Sequence, residues 1–272
     1  MSRRERRGTV LRQIIESVWP ALVAGQSALD AVTEAIRQME ASSLFNAGYG
    51  AKLQEDGLAR LSASLMDGHK QKFSGVLLAT HVKHPSQLAH ALQRRSQSVL
   101  GPLGVQLLAR ELGIAPENPV TAERAREWSE HLAHGSPPEG QGTVGAVALD
   151  LAGDLAAATS TGGGKFNYPE RISDSATVAG NYASEFAAIS CTGVGEEIVD
   201  DGLAVRLETR VRDGLTLIEA SERAYAEALE RRRQYGWIGI DRKGIWVTYW
   251  TTEAMQCDGR SGNMDRFAFG RL

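Results

Sequence analysis

Threonine stands beside glycine at three places in the chain: Gly142-Thr143-Val144-Gly145, Thr159-Ser160-Thr161-Gly162-Gly163 and Cys191-Thr192-Gly193. A threonine hydroxyl is a weak nucleophile at neutral pH and gains strength when an adjacent base takes its proton. A threonine at a chain start carries that base itself, as its free α-amine, which titrates at about pH 7.7–8.0 when unperturbed. Making such a terminus here requires cutting the Gly142–Thr143 bond, where the preceding glycine gives the least steric hindrance and tolerates strained backbone angles. The plainer alternative is that these are β-branched strand residues followed by turns. Spacing alone favours that alternative.

Other chemistries fail on their own terms. Gly162-Gly163-Gly164-Lys165 ends like a phosphate-binding loop, but Thr159 stands where its first glycine belongs and Phe166 where a hydroxyl must hold magnesium. Gly193-Val194-Gly195 lacks the third glycine of a dinucleotide fingerprint, and Glu196-Glu197 would repel a pyrophosphate. All six histidines precede residue 142, so a Ser/His hydrolase would have to borrow one of them. His131 and His134 sit at a helical spacing suited to a metal, yet no carboxylate or cysteine set completes a site, and the histidines read as surface residues. Arg171 and Asp174, three apart in a loop, read on spacing as a surface ion pair worth little.

Thirty Lys and Arg against 33 Asp and Glu leave the 272-residue chain at a net charge of −3, with 42% apolar and 23% charged residues. These are ordinary values for a globular protein. They give no basic stripe for nucleic acid and no apolar run near the roughly 20 residues that span a bilayer. The basic start, Met1 to Arg7, is followed by no long apolar stretch. It therefore lacks the core of a signal peptide and reads as a frayed, solvated terminus. Cys191 and Cys257 make neither a metal spacing nor a disulfide framework, so a cytoplasmic setting is expected.

Val10, Ile14, Val18 and Leu22, then Ala28, Val32, Ile36 and Met39, recur at helical steps. Two helices follow over residues 9–41, broken near Pro20 and Gly25, with Ser27 capping the second. Residues 44–54 and 58–66 read as a hairpin around Glu55-Asp56-Gly57. A helix starts at Pro85, and residues 99–134 are helical with a break at 113–120. Residues 134–142, rich in Pro and Gly, form an exposed linker. Beyond it the pattern turns to β: strands 143–149 and 155–159, a further strand 187–191, helices 194–211 and 216–232, and a last hairpin 236–250. Sequential hairpins argue for antiparallel sheets covered by helices rather than a doubly wound parallel sheet.

With these motifs in order, the chain resembles the plant-type asparaginase/isoaspartyl peptidase family of N-terminal-nucleophile hydrolases. The likeness runs from Ala24 to about Gly262, through Ser27-Ala28-Leu29-Asp30-Ala31-Val32, Leu44-Phe45-Asn46-Ala47-Gly48, Met66-Asp67-Gly68 and Val82-Lys83-His84-Pro85. It is strongest in 142–150 and 159–163 and continues in Arg171-Ile172-Ser173-Asp174-Ser175 and Ser190-Cys191-Thr192-Gly193-Val194-Gly195. The resemblance implies an α+β fold, an αββα sandwich of the N-terminal-nucleophile type, in a single domain over 1–272. It implies self-cleavage between Gly142 and Thr143 into an α chain (1–142) and a β chain (143–272).

In that scheme Thr143 is the nucleophile, Thr161 hydrogen-bonds and tunes its hydroxyl, and Asn46 orients it. Thr192 and the Gly193 N–H hold the oxyanion. Arg171 grips the substrate α-carboxylate, Asp174 its α-ammonium, and Gly195 belongs to the same binding set. The implied substrates are β-aspartyl dipeptides and L-asparagine, giving L-aspartate. No organic cofactor is implied; a structural sodium on backbone carbonyls near residues 41–50 is, as is a homodimer of αβ units with no nucleic-acid or membrane partner.

The chain also departs from the family pattern. It opens at the helix that follows the family's first strand and His-Gly-Gly loop. Glu170 and Ser173 stand where glycines are usual, and Arg60 and Ser62 where acidic residues are frequent. The glycine-rich approach to the last hairpin is shortened to Gly236-Trp237. A glycosylasparaginase-like amidase is an alternative, although relatives of that type carry Asp before the threonine. An unprocessed, catalytically silent paralogue with a binding or structural role is another.

Overall fold

The computed structural model describes residues 2–135, 142–262 and 264–269. Most of the expected linker 134–142 lies outside the described residues. The first half runs α1 (Arg3–Val23), α2 (Ala28–Ala41), β1 (Leu61–Asp67), β2 (Lys72–Ala79), α3 (Pro85–Leu92), β3 (Val99–Leu100), α4 (Pro102–Glu111) and α5 (Ala122–His134). The second half runs β4 (Val144–Leu149), β5 (Leu155–Thr161), β6 (Asn181–Ala183), β7 (Ala187–Gly193), α6 (Gly195–Asp201), α7 (Leu203–Arg212), α8 (Leu217–Glu230), β8 (Tyr235–Asp241), β9 (Trp246–Trp250), β10 (Gln256–Ser261) and β11 (Met264–Phe269).

The first sheet has the order β3-β2-β1-β5-β4 and the second β6-β7-β8-β9, while β10 and β11 form a separate ribbon. All pairings are antiparallel except β2 with the short β3. Helices α2 and α3 pack on the first sheet, α7 and α8 on the second, and β4 and β5 meet β7. Every residue of β1 and β5 is buried, so neither shows the polar–apolar alternation of a strand with one wet face. Small side chains let the sheets approach. A Cβ on Gly145 of β4 would collide with Ser190 Oγ of β7, and the hydroxyls of Thr159 and Ser190 meet at 2.7 Å, fully buried. That contact joins β5 to β7 just behind the ends that carry Thr161 and Thr192.

Helix α2 forms where the apolar stripe and cap predict it. Ser27 Oγ accepts from Asp30 N at 3.1 Å, and Val32, Ile36 and Met39 are buried. Two expectations are corrected. The basic start is not a frayed end: α1 begins at Arg3 with a capping box in which Ser2 and Glu5 satisfy each other's backbone N–H, an arrangement worth about 0.5–2 kcal/mol. Arg7 Nε then donates to Leu44 O at 2.8 Å, and Arg3 pairs with Glu123. The hairpin expected around residues 55–57 is a tight turn only. Gly57 N bonds Gln54 O at 2.9 Å, and β1 takes β2 and β5 as its partners instead. The β10–β11 ribbon, packed against α1, was not foreseen.

Candidate active site

Strand register gathers the hydroxyls. Val144 opposes Ser160 across β4 and β5, and Ser62 opposes Thr161 across β1 and β5. The ends of β1, β5 and β4 therefore set Ser62, Thr161 and Thr143 in a row. Side chains two apart on a strand share a face. Since Gly145 abuts Ser190, the same edge of β7 carries Thr192 toward the end of the sheets where Thr143 lies. Gly193 follows with φ of +134°, and a Cβ there would strike the Tyr235 backbone. Only glycine fits, and the turn it makes exposes the end of β7.

The carbonyl oxygen of Gly142 is held by two side chains. It accepts from Asn46 Nδ2 at 2.6 Å and from Thr161 Oγ1 at 3.2 Å. Asn46 is itself fixed. Its Nδ2 also donates to Gly163 O at 2.6 Å, its Oδ1 accepts Lys52 N at 2.7 Å, and its own carbonyl accepts Gly162 N at 3.0 Å. Thr161 Oγ1 in turn accepts Gly163 N at 3.0 Å. Both residues are 6% exposed. Asn46 and Thr161, expected to orient a hydroxyl, here hold the carbonyl of the residue before Thr143, with two donors aimed at its oxygen.

Arg171 and Asp174 do not pair with each other as the surface reading had it. The Arg171 side chain is 13% exposed and grips Glu196 in a fork, Nε to Oε1 at 2.7 Å and Nη2 to Oε2 at 2.5 Å. That leaves the Nη1 edge for another carboxylate. Asp174 is 2% exposed. Its Oδ1 accepts Ser173 Oγ at 3.1 Å, while Oδ2 is buried with no hydrogen-bond partner. A Cβ on Gly180 would sit 2.6 Å from Oδ2, and one on Gly195 2.6 Å from Oδ1, so bare backbone walls the carboxylate in. Burial pushes its pKa from 3.8 up to about 6, against the pull of Ser173 and Arg171. An unpartnered buried carboxylate beside a half-used guanidinium matches the ammonium and carboxylate of an α-amino acid.

A cleft of about 10 Å³, space for about one water, lies between Arg60, Ser62, Thr161, Arg171, Ser173 and Ser175. Sequence reasoning missed Glu196 as the partner of Arg171, 25 residues away, the niche formed by Gly180, and the place of Arg60 in the cleft. Of these only Arg60 had left a trace, as a departure from the family pattern. Glu170, standing where glycine is usual, has φ of +64°. The conformation explains the glycine preference, since a side chain there carries a steric penalty.

The loop before Asn46 has a different cradle. A Cβ on Gly50 would collide with Phe45 O and lie 2.9 Å from Ser43 O, so two carbonyls converge on bare backbone. The His131 ring stacks on Phe166 at 3.7 Å. Among the described residues no group of three His, Cys, Asp or Glu side chains is arranged to hold a metal. No described helix is long and apolar enough to cross a membrane.

Residues 1–266 match the model of a protein family described as asparaginase. The chain is 43% identical over 248 residues to an isoaspartyl peptidase/L-asparaginase of Synechocystis sp., covering 86% of this chain and 75% of that protein. It is 38% identical over 265 residues to an isoaspartyl peptidase of Salmonella typhimurium, covering 90% and 84%. It is 35% identical over 269 residues to a plant-type L-asparaginase of Pyrobaculum calidifontis, covering 92% and 90%.

Proposed function

The chain belongs to the asparaginase family, and from that premise we propose that it hydrolyses isoaspartyl dipeptides and L-asparagine with Thr143 as nucleophile, after cutting itself at Gly142–Thr143. The reaction needs no organic cofactor. The observation that carries the self-cleavage is the carbonyl of Gly142, the residue before Thr143, held by Asn46 and Thr161. Thr143 Oγ attacks the Gly142 carbonyl carbon, and the oxyanion forms on the atom those two side chains already hold. The Oγ proton passes to the departing Thr143 nitrogen as the C–N bond breaks, leaving an ester that water hydrolyses. The products are the Gly142 carboxylate and a Thr143 with a free α-amine.

In the cut enzyme that amine takes the proton of Thr143 Oγ. Arg171 binds the substrate α-carboxylate on its Nη1 edge, and the Asp174 carboxylate, walled by Gly180 and Gly195, accepts from the α-ammonium. Thr143 Oγ attacks the side-chain carbonyl carbon. The oxyanion is held by the Thr192 hydroxyl and the Gly193 N–H, each donor worth a few kcal/mol at about 3 kcal/mol apiece. The leaving amine departs with the proton. Water then attacks the β-aspartyl ester, L-aspartate leaves, and Thr143 is restored.

The same reading takes the two sheets and their helices as an αββα sandwich of the N-terminal-nucleophile type, a single domain over 1–272 cut into chains 1–142 and 143–272. A sodium ion would find ligands in the Ser43 and Phe45 carbonyls, where it would stiffen the loop that carries Asn46. The cut units pair as a cytoplasmic homodimer. The test is the intact mass of freshly purified protein followed over days beside Thr143→Ala. A fragment beginning at Thr143, absent from the variant, together with release of L-aspartate from an isoaspartyl dipeptide, is expected. A mass that stays at 29.3 kDa would leave no threonine amine and refute the mechanism in favour of a silent, unprocessed protein.

A further inference from the structure

Two arginines face one cleft, and only Arg171 has a part in the reaction as described. Arg60 is buried to a similar depth, with both of its terminal nitrogens engaged. Its side chain is 11% exposed, against 13% for Arg171. Each guanidinium is backed by a more exposed carboxylate: Asp56, 33% exposed, on Arg60, and Glu196, 57% exposed, on Arg171. Arg60 Nη1 donates to Gln54 Oε1 at 2.7 Å and to Asp56 Oδ1 at 3.0 Å, and Nη2 to Asp56 Oδ2 at 2.9 Å. Gln54 Oε1 also accepts the backbone N–H of Glu170 at 2.9 Å. One buried amide thus ties Arg60 to the loop that presents Arg171.

The register fixes where this second cation stands. Arg60 precedes by two residues Ser62, which opposes Thr161, while Thr143 lies on the other side of β5. Arg60 and Thr143 are therefore two strand spacings apart sideways and two residues apart lengthwise, roughly 12 Å. An arginine side chain together with one amino-acid residue spans that gap. L-Asparagine carries one carboxylate. An isoaspartyl dipeptide carries a second, on the amino acid that leaves.

We propose that Arg60 binds the α-carboxylate of the leaving amino acid, so that this enzyme favours isoaspartyl dipeptides with a free C-terminus over their C-terminal amides. The inference rests on the hydrolase reading above and adds the leaving-group side of the site. The backing carboxylate of Asp56 keeps the guanidinium aimed, as Glu196 does for Arg171.

The experiment measures kcat/KM of the self-cleaved enzyme for β-aspartyl-alanine, for β-aspartyl-alanine amide and for L-asparagine, in wild type, Arg60→Met and Arg60→Lys, with cleavage checked by mass. Wild type is expected to prefer the free acid over the amide by about tenfold or more, the worth of one charge-assisted hydrogen bond. Arg60→Met should bring that ratio close to one, chiefly through KM, and Arg60→Lys should restore part of it. A purely structural Arg60 would lower all three substrates by the same factor and leave the ratio intact, which overturns the inference. A wild-type ratio near one overturns it without any variant, so a variant that fails to fold does not rescue it. A fully cut wild type that turns over none of the three substrates refutes the hydrolase reading itself.

Discussion

Replacing Asp174 by Asn separates what the site costs from what it does. The carboxylate is buried, one of its oxygens has no partner, and its pKa is held at about 6 instead of 3.8. That gap corresponds to about 3 kcal/mol. The sign follows from linkage. Below pH 3.8 the group is protonated in both folded and unfolded chains, and no penalty exists. Between 3.8 and about 6 the unfolded chain ionises while the folded one does not, so stability falls as pH rises. Above about 6 the folded protein carries the full desolvation penalty. An amide is neutral throughout but leaves an N–H without an acceptor, at about 1 kcal/mol. The net gain at pH 7.5 is about 2 kcal/mol, or about 4–8 °C in Tm at the 2–4 °C per kcal/mol typical of domains of this size. Calorimetry should show Asp174→Asn melting above wild type at pH 7.5 and slightly below it near pH 4. Its kcat/KM for L-asparagine should fall by about 10- to 100-fold or more, since the substrate ammonium loses a charged acceptor. In wild type kcat/KM should climb as pH rises through about 6, and the variant should lack that limb. A Tm difference that stays flat from acid to neutral pH, or a variant less stable at pH 7.5, would refute the claim that this carboxylate is kept ionised against its surroundings for the substrate.

Two further substitutions test the parts around it. Asn46→Ala removes one of the donors on the Gly142 carbonyl and should slow self-cleavage by about 10²–10³-fold, read from the mass time course. It should also destabilise the fold by about 1–3 kcal/mol, because Lys52 N and Gly163 O lose their partner; cleavage at the wild-type rate would remove Asn46 from the mechanism. Glu196→Gln loosens an exposed backing on Arg171, worth up to about 1 kcal/mol. KM for L-asparagine should rise by up to about fivefold with kcat little affected, and a loss dominated by kcat would contradict a role confined to aiming Arg171.

The sequence was informative where a residue's type is dictated by its immediate backbone. Ser27 as a cap and the Thr-Gly strand ends were legible, because local sterics and local hydrogen bonds decide them. What stayed hidden depends on residues far apart in the chain. Glu196 lies 25 residues from Arg171, and the niche around Asp174 needs Gly180 and Gly195 folded against it. No periodicity carries either fact. The basic start misled for a related reason. Its charges were read without the tertiary acceptors Leu44 O and Glu123 that hold Arg7 and Arg3. The capping box of Ser2 and Glu5 was a local signal that could have been read. The turn at 54–57 looked like a hairpin because turn chemistry is local, whereas the choice of partner for β1 is not.

On the proposed mechanism, the uncut chain is closed to substrate by the same atoms that cut it. Gly142 O occupies the donors of Asn46 and Thr161, and the cleft beside them has room for about one water. On this reading the bound carbonyl keeps an aspartyl side chain out of the space beside Thr143. Hydrolysis of the Gly142–Thr143 ester gives Gly142 a carboxylate, and a tether to Thr143 no longer holds it there. Its departure frees both donors at the moment the threonine amine appears. Activation and opening are then one event, and no separate lid is required. The arrangement also limits damage during folding: a chain that has not assembled Asn46 from the first half against Thr143 from the second has neither the oxyanion donors to cut itself nor the amine to attack a substrate.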